Sequence, residues 1–309
     1  MTEISIIVPI RNEEESIKPF LESAIKVLDK INKPYEIIFS MDPSTDSTEK
    51  IILEEIEKNK KIKLLIFSRQ FGQPAATIAG IHNSKGKYCV IIDVDLQDPP
   101  EVIEKMYKKI IEGYEVVYAK RSSRKGETFI KKIVSSVAYF VINKISEINI
   151  PVNTGDFRII SRKVANELKK LSEGHGFLRG MVAFVGYKQS FVEYDRVQRF
   201  SGKRKYNKFF GSLKIGINGI VGYSSKPLTF LLGLGSLISL TSLFFVLTYL
   251  LSGNMGYGLI LSIITFFGGI QLFGLGLVGE YVGRIYDEVK KRPNYIIDKR
   301  INFDNQELE

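Results

Sequence analysis

The chain reads as an α/β protein with a parallel sheet covered on both faces, followed by a two-helix transmembrane hairpin. Two observations predict this: short β-rich runs alternate with helical patterns over residues 1–120, and residues 227–279 form a tract of 53 positions without one Asp, Glu, Lys, Arg or His. Composition narrows the class further. Of 309 residues, 44% are hydrophobic and 25% charged, enough apolar material for a core, which excludes a disordered chain. The single cysteine, Cys89 in the apolar run YCVIID, excludes a disulfide scaffold and any paired-cysteine zinc or redox site, and reads as a buried thiol.

Strands are predicted at residues 4–10, 35–41, 62–68, 88–93 and 115–119, each rich in Ile, Val and Tyr. Between them, residues 14–31 repeat Ile17, Leu21, Ala24, Ile25 and Leu28 at helical spacing. Residues 47–57 and 99–113 do likewise, the latter opening on Pro-Pro-Glu as a helix start should. In such sheets, ligands bind beyond the carboxyl ends of the strands.

The charge-free tract divides at Ser252-Gly253-Asn254-Met255-Gly256 into residues 228–250 and 257–279, each long enough to cross a hydrocarbon core of about 30 Å. Lys226 precedes the pair, and Arg284, Lys290, Lys291 and Arg292 follow it, while the connecting loop has no cation. Basic flanks stay in the cytoplasm, so both termini are expected there, in a multi-pass protein of a bacterial inner membrane. Met1-Thr2-Glu3 leads straight into a strand-like run, so no secretory signal is expected.

Residues 1–226 hold 38 Lys+Arg against 27 Asp+Glu, a balance suited to anionic headgroups or phosphorylated substrates. Phe209, Phe210, Leu213, Ile217, Ile220 and Val221 recur at helical spacing among lysines, which fits either an interfacial amphipathic helix or an ordinary core helix. The expected organisation is a catalytic domain at residues 1–205, an interfacial helix at 206–226, two membrane helices at 227–280 and a cytoplasmic tail at 281–309. No nucleic acid is expected as partner, and a homo-oligomer is left open.

The predicted strand ends are polar: Arg11-Asn12-Glu13-Glu14, Asp42-Pro43-Ser44-Thr45-Asp46, Arg69-Gln70, Asp93-Val94-Asp95-Leu96-Gln97-Asp98, and Lys120-Arg121. Asp46 before Ser47-Thr48-Glu49 also fits a plain helix cap. Asp93-Val94-Asp95 closes an apolar strand, which predicts two carboxylates pointing the same way at its end. Paired carboxylates repel and call for a cation. Mg²⁺ or Mn²⁺, which take oxygen ligands together with substrate phosphates, fit best.

The segments SIIVPIRNEE, VDLQDPPE, NTGDFRIISR and GEYVGRIYDEVKKRPNYII, with the acidic second turn, resemble the bacterial polyisoprenyl-phosphate glycosyltransferases. These are family-2 glycosyltransferases of the Rossmann-like GT-A fold, related to dolichol-phosphate mannose synthase, and the hairpin resembles the bactoprenol glucosyltransferase branch. The resemblance spans nearly the whole chain. It implies inverting transfer of a sugar from a nucleotide sugar to undecaprenyl phosphate. UDP-glucose is the expected donor, with UDP-N-acetylglucosamine, UDP-galactose and GDP-mannose as alternatives.

Position by position, the resemblance places Pro9, Asn12, Glu14, Asp42, Arg69, Asp93 and Val94 at the nucleotide sugar, and Asp93, Asp95 and Gln97 on the divalent ion. Asp156 would orient the reacting sugar or acceptor. Arg121, Arg199, Arg204 and Lys205 would grip the acceptor phosphate, with Asp95, Asp156, Arg199 and Lys205 carrying catalysis. Pro43 stands where the family usually has Gly, Arg204 where it has Ser or Thr, and Gln70 and Gln73 where it has Asn and Lys.

A lipid phosphate is already anionic near neutral pH, so the reaction needs no histidine base, and His82 and His175 read as structural. A processive polysaccharide synthase would carry a Trp-containing acceptor motif, and this chain has no Trp. A non-catalytic sensor is disfavoured by the intact pair of aspartates. The hit Gly274-Leu275-Gly276-Leu277-Val278-Gly279 lies inside a predicted membrane helix rather than after a strand, so it is not a dinucleotide motif.

Overall fold

The computed structural model describes residues 1–122, 154–171, 178–197 and 257–303, with isolated positions between 228 and 241. Strand and helix alternate as β1 (Ile4–Ile10), α1 (Ile17–Ile31), β2 (Tyr35–Met41), α2 (Thr48–Lys58), β3 (Ile62–Phe67), α3 (Gln73–His82), β4 (Tyr88–Ile91), α4 (Val102–Ile111) and β5 (Val116–Arg121). After these come β6 (Thr154–Ser161), α5 (Arg162–Lys170), α6 (Leu178–Val185), β7 (Gln189–Tyr194), α7 (Tyr257–Val289) and β8 (Ile297–Ile301).

The strands form one sheet in the order β7-β5-β6-β4-β1-β2-β3-β8. Burial of both faces explains why the central strands are apolar throughout rather than alternating. Ile4, Ile6 and Val8 point into the cluster that holds Phe20, Leu21, Ile52 and Met106 of α1, α2 and α4. Ile7 points the other way, to Ile78 of α3, Val164 of α5 and Met181 of α6. Gly86 is needed where the chain turns into β4, because a Cβ there would lie 2.6 Å from the Ser5 backbone nitrogen.

Two strands correct the expectation of a purely parallel sheet. β6 runs antiparallel between β4 and β5, and β8 antiparallel along β3. β8 was expected only as part of a cytoplasmic tail, yet it adds an edge strand to the catalytic sheet. α3 was not anticipated: its apolar residues Ala76, Ile78, Ala79 and Ile81 are too small and too closely spaced to make a clear stripe.

α7 has 33 residues, and within it Phe266–Val289 is long and apolar enough to cross a membrane, at a mean hydropathy of 1.2. At about 1.5 Å per residue the helix is about 50 Å long and runs well past the expected boundary at Gly279. Glu280 and Arg284 pair at 2.9 Å one turn apart on this extension. Leu228, Leu231, Leu237 and Thr241 are helical, but most of residues 228–250 and the interfacial segment 206–226 lie outside the described residues.

Candidate active site

The first two strand ends are knitted together. Asn12 adopts a left-handed conformation (φ 51°), its Oδ1 accepts the Thr45 amide at 2.8 Å, and its own amide donates to Ser44 Oγ at 3.1 Å. Glu14 Oε2 accepts the Ser47 amide at 2.8 Å, and Asp46 accepts from the amides of Glu14 and Thr48. Burial would raise the Asp46 carboxyl, but these hydrogen bonds outweigh it and hold the group below its usual range. Asp46 stands one residue before Ser47, the N-cap of α2, and accepts the amide of Thr48, the first residue of that helix.

Asp42 is buried at the end of β2, with one carboxylate oxygen on the Phe71 amide at 2.8 Å and the other on the Gly72 amide at 2.9 Å. Each oxygen accepts a backbone amide, so Asp42 fixes the third turn. Pro9 is buried within β1. Arg69 is exposed and stacks on Phe71, its guanidinium carbon 4.4 Å from the ring centroid.

The acidic turn departs from the expected strand alternation. β4 ends at Ile91, where its neighbour β1 stops pairing, so Asp93 and Asp95 lie in a turn containing Leu96 at φ 57°. Val94 packs into the core with 3% exposure, so its side chain is withdrawn from any ligand. Asp95 Oδ1 accepts the Gln97 amide at 3.1 Å, folding the turn on itself. Gln73, the first residue of α3, donates to Asp93 Oδ1 at 2.8 Å.

β6 brings the other acid. It pairs with β4 so that Ile91 lies opposite Arg158, and the same register carried two residues further faces Asp93 with Asp156. Burial first, then the negative charges of Asp156, Asp98 and Asp95, push the Asp93 carboxyl up to about 7, against the pull of Arg196. Among the described residues no three acidic, histidine or cysteine side chains close around one metal position. Two carboxylates with Gln97 beside them suit a hard ion that completes its shell with phosphate oxygens, and a divalent charge there would relieve the repulsion that raises Asp93.

Arginines surround Asp156. Arg179 of α6 donates from Nε to Asp156 Oδ1 at 2.9 Å, and Arg158 Nη2 lies 3.9 Å from the same oxygen. Burial would raise the Asp156 carboxyl, but Arg179, Arg158 and Arg121 outweigh it and hold it low. Arg158 is buried, donates to the carbonyls of Gly155 and Asp156, and titrates near 10 because burial penalises its charge. Arg121, at the end of β5, donates to the Tyr194 hydroxyl at 3.4 Å, and a Cβ on Gly155 would come within 3.0 Å of its Nη2.

Tyr194 donates in turn to Asp98, which also pairs with Arg196 Nε at 3.4 Å, and the Val197 amide donates to the Gln97 carbonyl. The acidic turn is therefore fastened to the end of β7.

Asp93, Asp95, Gln97, Arg121 and Asp156 lie together on this rim. Arg199, Arg204 and Lys205 lie outside the described residues. Sequence reasoning missed Arg179, Tyr194 and Arg196, and named Asp98 and Gln73 without giving them a role at the site. Arg179 did leave a signal, being the lone charge between Glu173 and Lys188 in an apolar run.

Residues 5–169 match the family described as Glycosyl transferase family 2. The chain is 42% identical over 301 residues to an uncharacterized glycosyltransferase of Synechocystis, covering 96% of this chain and 94% of that one. It is 39% identical over 304 residues to the bactoprenol glucosyl transferase of Shigella phage SfII, covering 96% and 97%. Glucosyl-3-phosphoglycerate synthase from Mycobacterium tuberculosis, solved with uridine diphosphate, superposes with a TM-score of 0.51 at 18% identity, covering 71% of this chain and 78% of that one. A second structure of that enzyme, which also contains Mn²⁺ and glucosyl-3-phosphoglycerate, gives 0.50. The sheet order is that of the GT-A fold, and with relatives aligned from end to end the chain is a glycosyltransferase that belongs to family 2.

Proposed function

We propose that this enzyme transfers glucose from UDP-glucose to undecaprenyl phosphate at the cytoplasmic face of a bacterial inner membrane, with inversion and with Mg²⁺ or Mn²⁺. The observation that carries the reading is the apposition of Asp93 and Asp156 across β4 and β6 beneath Arg121, Arg158 and Arg179. The acceptor class comes from the full-length likeness to bactoprenol glucosyl transferases, at 37% to 39% identity among phage and prophage relatives.

In the reaction, a phosphate oxygen of the lipid attacks the anomeric carbon, the bond from that carbon to the diphosphate breaks, and the electron pair leaves with the nucleotide. Asp93, Asp95 and Gln97 would hold the divalent ion, which supplies countercharge to the departing diphosphate. Asp156, kept ionised by Arg179, orients a sugar hydroxyl rather than taking a proton, since the acceptor is already an anion. Arg121, with Arg199, Arg204 and Lys205, positions that anion.

Chain connectivity supports the membrane hairpin. β8 follows α7 and is hydrogen-bonded to β3, so the carboxyl end of α7 lies on the side of the catalytic sheet. If α7 crosses a bilayer, residues 198–256 must cross it an odd number of times, and the charge-free stretch 228–250 supplies that passage. The domain bounds proposed are therefore 1–205, 206–226 and 227–280, with residues 281–309 returning to the sheet.

The test offers membranes bearing the protein a panel of labelled nucleotide sugars with undecaprenyl phosphate. Acid-labile, solvent-extractable label from UDP-glucose is expected, abolished by chelation and in Asp95→Ala. Label that persists in Asp95→Ala would refute the metal assignment, and label from another donor alone would replace glucose.

A further inference from the structure

We infer that the segment returning from the membrane helix, Tyr295 to Phe303, is a working part of the donor side of the active site, with Tyr295 as a positioning residue. The inference rests on the reading that the turn after β3 borders the nucleotide. That turn carries exposed Arg69 stacked on Phe71 and presents the Phe71 and Gly72 amides to Asp42. The helix it opens, α3, begins with the Gln73 side chain on Asp93.

Both ends of this unit rest on the returning segment. At the near end, the Ser68 amide donates to the Ile296 carbonyl at 3.1 Å, and the pairing of β3 with β8 shifts register between Ile66 and Phe67, where the turn leaves the sheet. Phe67 meets Phe71 edge-on at 6.1 Å and Tyr295 at 6.0 Å, so its ring separates the returning segment from the turn. At the far end of α3, the Tyr295 hydroxyl is 2.9 Å from His82 Nδ1, with the two rings 5.8 Å apart. Tyr295, Ile297 and Phe303 complete a core cluster whose other members are Ile38, Leu65, Phe67, Ala76 and Ala79, with Phe71 at its margin.

Small residues on α3 leave this cluster short of volume without the late aromatic groups. Removing the Tyr295 ring opens a void beside Phe67 and unties His82, freeing α3 to slide along its axis and carry Gln73 away from Asp93. The donor turn is thus set by residues more than 200 positions later in the chain, which reach it only after the membrane helix.

The test uses full-length protein in detergent, with UDP in the presence of Mn²⁺ as the probe. Tyr295→Leu is expected to weaken UDP binding about tenfold and Tyr295→Phe about threefold, with the KM for polyprenyl phosphate unchanged in both. Leu28→Ala, a truncation in the cluster on the other face of the sheet, which holds neither Tyr295 nor any residue of α3, provides a variant of lowered stability and should bind UDP as the unaltered chain does. UDP affinity within twofold of the unaltered chain in Tyr295→Leu would overturn the inference, as would equal weakening in Leu28→Ala. Should Tyr295→Leu not fold, Tyr295→Phe decides by whether its affinity falls. An unaltered chain that binds no UDP would overturn the donor-site reading itself, and this inference with it.

Discussion

At the scale of the residue, the electrostatics separate the two facing acids. Asp93 is pushed up by burial and by its carboxylate neighbours, whereas Asp156 is held down by arginines. Arg179→Ala should therefore raise the Asp156 carboxyl and move the acid limb of the turnover profile to higher pH, with turnover falling about tenfold or more. Arg179→Lys should recover part of the loss by charge alone, and rates measured from pH 5 to 8 check both. His82 makes a different prediction. Its imidazole titrates at about 4 instead of 6.5, because burial and then Lys169 penalise the charged form. The unfolded chain takes up a proton between those values that the folded chain refuses. Stability from this group is full above about pH 6.5 and declines as pH falls toward 4. Denaturation at pH 5 and 7.5 should show a smaller difference in His82→Gln than in the unaltered chain.

At the scale of the element, the turns after β1, β2 and β3 form one hydrogen-bonded unit, in which side chains expected to meet the nucleoside also cap and clamp the backbone. Asn12, Glu14 and Asp42 are shaped by that work, and their residue types alone cannot distinguish an acceptor for an amide from an acceptor for a base. Asp42→Ala should release the Phe71 and Gly72 amides and weaken donor binding through the moved turn, at a cost of about 2 to 3 kcal/mol for two charge-assisted hydrogen bonds. Urea titration measures that cost. Gly86→Ala meets backbone rather than a yielding side chain, since its Cβ would fall 2.6 Å from Ser5 N and 2.9 Å from Ile4 C. A loss of about 3 kcal/mol or failure to accumulate in membranes is expected, read by the amount of folded protein recovered.

At the scale of the whole molecule, the sheet closes only after α7, because β8 follows that helix and pairs with β3; the proposed hairpin would place this closure after a passage to the membrane and back. That connectivity predicts which loops face which compartment. Cys89 is buried, so single added cysteines report cleanly. Asn254→Cys should react with a membrane-impermeant maleimide in spheroplasts, and Arg292→Cys only after the membrane is opened. Labelling of both from the same side would exclude the hairpin. The extension of α7 beyond Gly279 adds about 15 Å before the chain returns to β8, which under the proposed hairpin would be a spacer between the bilayer and the sheet.

Alternating β-rich and helical runs were enough to determine the first five strands, the helices α1, α2 and α4, and the rim on which the acids gather, because those signals are local and strong. The pair Asp93 and Asp95 was legible for the same reason, though the point where β4 ends depends on where its neighbour stops pairing. Arg179, Tyr194 and Arg196 were not legible, since an arginine or tyrosine acquires a role at the site only when an antiparallel strand and a later helix carry it there. The same holds for Tyr295 and β8. A tail of ordinary composition becomes an edge strand because β3 exposes unpaired backbone groups to it, and that demand is a property of the assembled sheet, not of any segment read alone.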